Sequence, residues 1–194
     1  VPVLACHLHL VADLGRDLLA ASHDALRERF RQSKVRPKLR DLARELGREL
    51  GQGIDAGGES LLDWQHDFES SPCVPAGTAG LAVVRALTQW VLDYPSVGDY
   101  RSSFPFDRPY LDLYERCLRA GRSVDAFLER PPEDRGVRRA LERVGRALDT
   151  IAQDERAAAL AQTLHSRAAL LDELRDTLRL DLPGARRARP VLSE

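Results

Sequence analysis

Apolar residues recur at helical spacing along most of this chain, and this recurrence constrains the fold more than any other feature. In the first such stretch they return every three, four or seven residues, which puts them on one face of a helix from about Leu10 to Arg31. The apolar residues of the first and last stretches are Val11, Leu14, Leu18, Leu19, Leu26 and Phe30, then Leu160, Leu164, Leu171, Leu174 and Leu178. The sequence predicts a mainly α protein, a helical bundle of about six helices.

Proline and glycine mark the predicted helix boundaries. Pro37 suits the first turn of a second helix, because the N–H that proline lacks has no helical partner there. Gly51 and Gly53 end that helix. The remaining helices are predicted over Leu81–Tyr94, from Pro109 to Pro131-Pro132, over Arg135–Ile151 and over Glu155–Leu180.

The first residues have a different pattern. Val1–Ala5 is apolar and is typical of the end of a buried β-strand rather than of a translation start, and the whole chain contains no methionine. A buried strand needs neighbouring strands, and no second convincing strand follows. We therefore expect an N-terminal strand remnant over residues 1–9 and a chain that is a fragment or an excised domain of a longer protein.

Composition limits the class of protein. With 194 residues, 43% of them hydrophobic, the chain can bury a core in one domain, or in one domain plus an extension. It has no apolar run near the length of a membrane span and no signal-peptide pattern, so we expect no membrane association and a cytoplasmic location. Its 3 widely spaced cysteines suit reduced thiols.

Charge is segregated along the chain although the formal net charge is only −1. Nine Lys or Arg residues stand against four acids between Arg27 and Glu49, whereas Asp55–Glu69 has five acids and no Lys or Arg. Together with the apolar periodicity and the Gly/Pro-rich stretch after the second helix, this segregation favours a basic helical hairpin over 10–52, an acidic Gly/Pro-rich linker over 53–80, a helical bundle over 81–182 and a disordered tail over 183–194. The acidic run is a solvated linker or, alternatively, an autoinhibitory cover for the basic hairpin.

Three segments carry a family resemblance. Cys6-x-x-His9 runs directly into Leu10–Leu19 and resembles the C-x-x-H turn after the second catalytic aspartate of DDE transposases related to the Mutator group and to bacterial insertion sequences. Phe104–Tyr114, with the sequence FPFDRPYLDLY, resembles a stretch in the helical insertion of such transposases, and Val35–Arg40 is a third, shorter match.

The resemblance implies an RNase H-like enzyme in which three carboxylates hold two divalent metal ions, Mg²⁺ or Mn²⁺, with the helical insertion between the second and third carboxylate. This chain would begin after the second carboxylate and end before the third. We therefore assign it no catalytic residue, no metal site and no bound cofactor. The implied partner of the parent enzyme is double-stranded DNA at transposon ends.

Seven basic residues are candidates for contact with DNA phosphates: Arg27, Arg31, Lys34, Arg36, Lys38, Arg40 and Arg44. The alternative is a solvated helix face, because acids such as Glu28 and Asp41 interrupt the run. No aromatic residue alternates regularly with the basic ones, so stacking on single-stranded bases is not expected.

Two further motifs have structural interpretations. Phe104, Phe106, Asp107, Tyr110 and Tyr114 form a predicted loop-to-helix anchor, with the aromatic rings closing the core and Asp107 capping the helix that begins at Pro109. Cys6 and His9 supply too few ligands for a closed zinc site, even with His7, so core packing is at least as good an interpretation of Cys6.

A second functional hypothesis comes from a different class. The leucine-rich final helices could form a non-catalytic interaction module that binds a partner protein or produces a homo-oligomer. Salt dependence separates the two hypotheses, because phosphate contacts weaken steeply with salt whereas apolar helix contacts respond little. Glycine-rich phosphate loops and H-E-x-x-H motifs do not occur in the sequence.

Overall fold

The computed structural model describes residues 2–51, 74–94 and 104–178, and these residues form six α-helices. The helices are α1 (Pro2–Ser33), α2 (Val35–Leu50), α3 (Gly77–Leu92), α4 (Pro109–Glu129), α5 (Arg135–Ala152) and α6 (Glu155–Thr177). The prediction of a mainly helical bundle is confirmed. Within the described ranges, no helix combines the length and the apolar character that a bilayer span requires.

The predicted N-terminal strand is wrong for the residues that the structure describes. Residues 2–9 are helical and continue without a break into the rest of α1. A short apolar run such as Val1–Ala5 has no periodicity that separates a strand from a helix, and Pro2 is well suited to a first helical position. The proposed remnant of an RNase H-like sheet is therefore not seen in this part of the chain.

Helix α5 lies at the centre of the bundle and contacts each of the other described helices. Its apolar residues recur every three or four positions, so they form one narrow buried stripe between exposed charged residues. The stripe consists of Val137, Ala140, Leu141, Val144, Ala147, Leu148 and Ile151. The remaining helices assemble around this stripe.

The first two helices separate after their junction instead of packing as a tight hairpin. α1 packs mainly against α6, and α2 packs mainly against α3. Arg29 Nε lies 2.7 Å from Asp154 Oδ2, while Arg167 Nη1 donates to the carbonyl oxygen of Leu18 at 2.9 Å, so α1 and α6 run antiparallel. The two helices of the predicted hairpin, α1 and α2, therefore pack mainly on other helices and not on each other.

Lys34 is the single residue between α1 and α2, and its backbone is left-handed, with φ 55° and ψ 24°. The neighbouring Ser33 hydroxyl donates to the carbonyl oxygen of Phe30 at 3.1 Å and accepts from the N–H of Val35 at 3.4 Å. These hydrogen bonds satisfy backbone groups that have no hydrogen-bond partner within the helix at its end. The chain therefore changes direction within one residue.

Gly15 is a position where Pro105 and Leu171 lie close to the backbone of α1. A Cβ atom at this position would lie 2.4 Å from Cγ of Pro105 and 2.7 Å from Cδ2 of Leu171, which is shorter than any ordinary carbon contact. Gly121 in α4 is the opposite case, since a Cβ atom there would meet no described atom within 4 Å.

We expect Gly15→Ala to lower the free energy of unfolding by about 1–3 kcal/mol, because overpacking outweighs the better helix propensity of alanine. Gly121→Ala is the matched control and should raise that free energy by up to about 1 kcal/mol. Urea unfolding followed by circular dichroism measures both. Equal stabilities of the two variants would contradict the close contact at Gly15.

Candidate functional site

A groove of about 460 Å³ lies between the end of α1 and the start of α2, which are joined by the turn at Lys34. Side chains from both helices and one residue of α4 line it. These residues are Arg27, Glu28, Phe30, Arg31, Arg36, Pro37, Arg40 and Tyr110. Four arginines and one carboxylate are among the residues that line the groove.

The four groove arginines form two pairs at i, i+4 spacing: Arg27 with Arg31 on α1, and Arg36 with Arg40 on α2. Residues four apart share one face of a helix, so each helix turns one pair toward the groove. Guanidinium groups stay protonated in proteins. Four positive charges therefore face one carboxylate, that of Glu28.

The charge of the α1 pair is partly offset by nearby acids. Arg31 Nε lies 2.8 Å from Glu28 Oε2, and Arg27 Nη1 lies 3.5 Å from Asp24 Oδ1. Hydrogen bonds from Arg31 and Gln32 lower the pKa of Glu28, which keeps it ionised. By contrast, no described carboxylate forms a salt bridge with Arg36 or Arg40, so the α2 side holds the less compensated charge.

Arg36 packs on Tyr94, which follows α3. The guanidinium carbon of Arg36 lies 5.2 Å from the centre of the Tyr94 ring, a cation–π contact that fixes the orientation of the arginine. The Nε atom of Arg36 and the hydroxyl oxygen of Tyr94 are both buried and have no hydrogen-bond partner among the described residues. Burial raises the pKa of Tyr94, so its hydroxyl keeps the proton that it can donate.

Aromatic rings form the floor of the groove. The ring centres of Phe30 and Tyr110 lie 6.1 Å apart, and these residues are only 2% and 4% exposed. Their faces are therefore not available for stacking on a base. Beneath them, Nε2 of His23 accepts a hydrogen bond from the backbone N–H of Tyr110 at 3.4 Å.

Four of the seven predicted DNA-contacting residues line this groove, namely Arg27, Arg31, Arg36 and Arg40. The other three, Lys34, Lys38 and Arg44, are exposed but do not line it. Arg44 instead lies 3.2 Å from Asp41 on its own helix.

The predicted aromatic anchor is placed around the start of α4. Phe104, Tyr110 and Tyr114 are buried, whereas Phe106 is partly buried and Asp107 is exposed. The cap position of α4 is occupied by Arg108, without a side-chain capping bond, so the expected capping role of Asp107 is not observed. Asp107 lies one residue before the cap position of α4.

Arg108 makes a different connection. Its Nη1 and Nη2 atoms bind the two carboxylate oxygens of Asp172 at 2.9 and 2.6 Å, a bidentate pair between the start of α4 and the last turns of α6.

Cys6 and His9 lie in the first turns of α1 rather than after a strand. His9 is exposed, and the side chain of Cys6 lies outside the described part of the structure. Among the described residues, no group of three or more His, Cys, Asp or Glu side chains could hold a metal ion.

Two residues of the site were missed by sequence reasoning. Tyr94 lies almost sixty residues from Arg36 in sequence, and only the packing of α2 on α3 brings them together. His23 occupies an apolar stripe between Leu19 and Leu26, and this position was the only indication in the sequence that its side chain is buried. The repeated i, i+4 spacing of the arginines was the signal that could have identified the groove.

No protein-family model, curated protein or solved structure matches this chain.

The acidic run over 55–69, Cys73 and the tail over 183–194 lie outside the described residues. Cys117 is buried, and burial raises the pKa of its thiol to about 12, so this cysteine is a core residue and not a nucleophile.

We expect acid to destabilise the groove through His23. Burial lowers the pKa of His23 to about 4 from 6.5, so the unfolded chain takes up the proton first as the pH falls. The free energy of unfolding should therefore fall between pH 6.5 and pH 4, by up to about 3 kcal/mol from this residue. Urea unfolding at several pH values measures the loss.

His23→Gln keeps a neutral acceptor for the N–H of Tyr110 and should lose this component of the pH dependence. His165→Gln is the matched control, because His165 is exposed and lies 2.8 Å from Glu115 at the surface of α6. An unchanged pH profile in His23→Gln would show that the buried imidazole does not titrate as described.

Proposed function

We propose that this chain binds double-stranded DNA through the arginine groove and is the DNA-contacting helical region of a DDE-type transposase, without catalytic activity of its own. The observation that carries the proposal is the convergence of Arg27, Arg31, Arg36 and Arg40 on one concave surface.

The chemistry of the groove suits phosphate. A guanidinium group presents donors in a planar fork that matches two phosphate oxygens, and several such groups release counterions when they neutralise a strand. The buried faces of Phe30 and Tyr110 leave no platform for base stacking. The groove therefore supports contacts to the DNA backbone rather than recognition of a base sequence.

The transposase part of the proposal rests on the sequence resemblance, and two of the three resembling segments contribute to the groove. Val35–Arg40 supplies Arg36 and Arg40, and Phe104–Tyr114 supplies Tyr110. The metal ions, Mg²⁺ or Mn²⁺, and the carboxylates that hold them would belong to the rest of the parent enzyme. In this reading the chain holds DNA while another part of the parent performs the chemistry.

The second candidate is the protein interaction module. The predicted leucine stripe of the last helix is largely used inside the bundle, since Leu164 and Leu171 are buried. Exposed leucines are found elsewhere, at Leu10 and Leu14 of α1 and at Leu170 of α6, with Leu10 and Leu170 more than half exposed. An oligomer would bury exposed leucines of this kind.

We expect the fourfold variant Arg27→Gln, Arg31→Gln, Arg36→Gln, Arg40→Gln to bind duplex DNA much more weakly than the wild-type chain. The slope of log affinity against log salt should also become shallower by about 3–4, because each lost phosphate contact removes roughly 0.9 from it. Fluorescence anisotropy of a labelled duplex over a range of NaCl concentrations measures both quantities.

Arg16→Gln is the control for this experiment. Arg16 is exposed on α1, pairs only with Asp13 at 2.6 Å among the described residues, and lies about 16 Å along the helix from Arg27. This variant should bind as the wild-type chain does. If the wild-type chain does not bind DNA but sediments as a salt-insensitive oligomer that Leu14→Glu disrupts, the interaction module is the better function.

A further inference from the structure

Helix α2 separates its charged residues into two stripes. Its arginines follow one another at i, i+4 spacing, and its acids do the same one position later, so the two sets turn toward different sides of the helix. The arginine stripe is Arg36, Arg40, Arg44 and Arg48, and the acidic stripe is Asp41, Glu45 and Glu49. Since Arg36 and Arg40 line the groove, the arginine stripe continues the groove along α2.

The acidic stripe is engaged mainly by α5. Arg143 Nη1 and Nη2 donate to the two carboxylate oxygens of Glu45 at 2.7 and 2.6 Å, and these bonds lower the pKa of Glu45. The charge of Glu49 acts on the same guanidinium group. Asp41 lies 3.2 Å from Arg44, but both side chains are 73% exposed, and an exposed pair of this kind is weak enough to exchange for a phosphate contact.

A further arginine reaches the arginine stripe from α3. Arg85 is the only charged residue of α3, and no described carboxylate forms a salt bridge with it. Its guanidinium group lies against Gly47, where a Cβ atom would be 3.2 Å from Nε and 3.5 Å from Nη2 of the arginine. Gly47 follows Arg44 by three residues and Arg40 by seven, so the Arg85 guanidinium group joins the face of α2 that carries them.

We infer that the phosphate backbone of duplex DNA continues out of the arginine groove along α2, with Arg44 and Arg85 as further phosphate ligands. This inference rests on the proposed function. It adds the direction in which the DNA crosses the molecule and assigns a binding role to a residue of α3.

The length of the arginine stripe suits one strand of a duplex. Helix α2 rises about 16 Å between Arg36 and Gly47, at 1.5 Å per residue. A strand carries one phosphate per roughly 3.4 Å of duplex axis, so it presents about five phosphates over that length. Each of Arg36, Arg40, Arg44 and Arg85 can therefore meet a different phosphate, and the contacts are independent of base sequence.

The double variant Arg44→Gln, Arg85→Gln tests the inference, because neither residue lines the groove. We expect it to bind a labelled duplex about tenfold more weakly than the wild-type chain does, as for the loss of two exposed charge contacts. The slope of log affinity against log salt should become shallower by about 2, since each lost phosphate contact removes roughly 0.9. Fluorescence anisotropy over a range of NaCl concentrations measures both quantities.

The double variant Arg16→Gln, Arg122→Gln is the matched control, because it changes the net charge by the same amount. Both residues are exposed, and Arg122 lies about 18 Å along α4 from Tyr110 of the groove. This variant should keep the wild-type affinity and salt slope. Urea unfolding checks that each variant is folded, and Arg85→Lys, which keeps the charge on α3, should retain most of the binding.

Each outcome has a separate meaning. A wild-type salt slope in Arg44→Gln, Arg85→Gln overturns the inference, and the proposed function stands if the fourfold groove variant is weakened in the same assay. Equal losses in the test and control variants also overturn the inference, because only net charge then matters. If the wild-type chain binds no duplex, the proposed function fails and the inference fails with it.

Discussion

The change of direction at Lys34 is the constraint on which the arrangement of the molecule depends. Pro37 lies three residues later, and a continuous helix through this region would lose a hydrogen bond and bring the proline ring against the preceding turn. The break removes that conflict, because Pro37 then lies in the first turn of α2, where no N–H is needed. It also allows α1 to pack on α6 while α2 packs on α3, which opens the groove between them.

Long-range contacts hold these separated helices in position. Helix α5 contacts all the other described helices, and burial of an apolar stripe such as that of α5 is the main source of stability in a helical bundle. Partly buried ion pairs connect the ends of α6: Arg29 with Asp154 at one end and Arg108 with Asp172 near the other. Asp154 also caps α6 by accepting from the N–H groups of Arg156 and Ala157, so one carboxylate both begins a helix and fixes its neighbour.

The helices were largely predictable because their signals are local. Apolar periodicity, Pro109 and the Pro131-Pro132 pair identified elements whose observed bounds lie within a few residues of the predicted ones, apart from the start of α1. That exception follows from a short apolar run without periodicity, which fits a strand or a helix equally well. Asp107 was expected to cap α4 because capping residues are recognised by type, but the structure places Arg108 at the cap.

The sequence by itself determined the helices, the break before Pro37 and the four arginines as candidate phosphate ligands, because each depends on residues within one or two turns. Only the tertiary structure decided that Arg27 and Arg31 face Arg36 and Arg40 across one groove, and that Tyr94 and His23 lie against it. The direction of the turn at Lys34 depends on the distant helices against which α1 and α2 bury their apolar faces. Such contacts join residues far apart in sequence, and local periodicity carries no information about them.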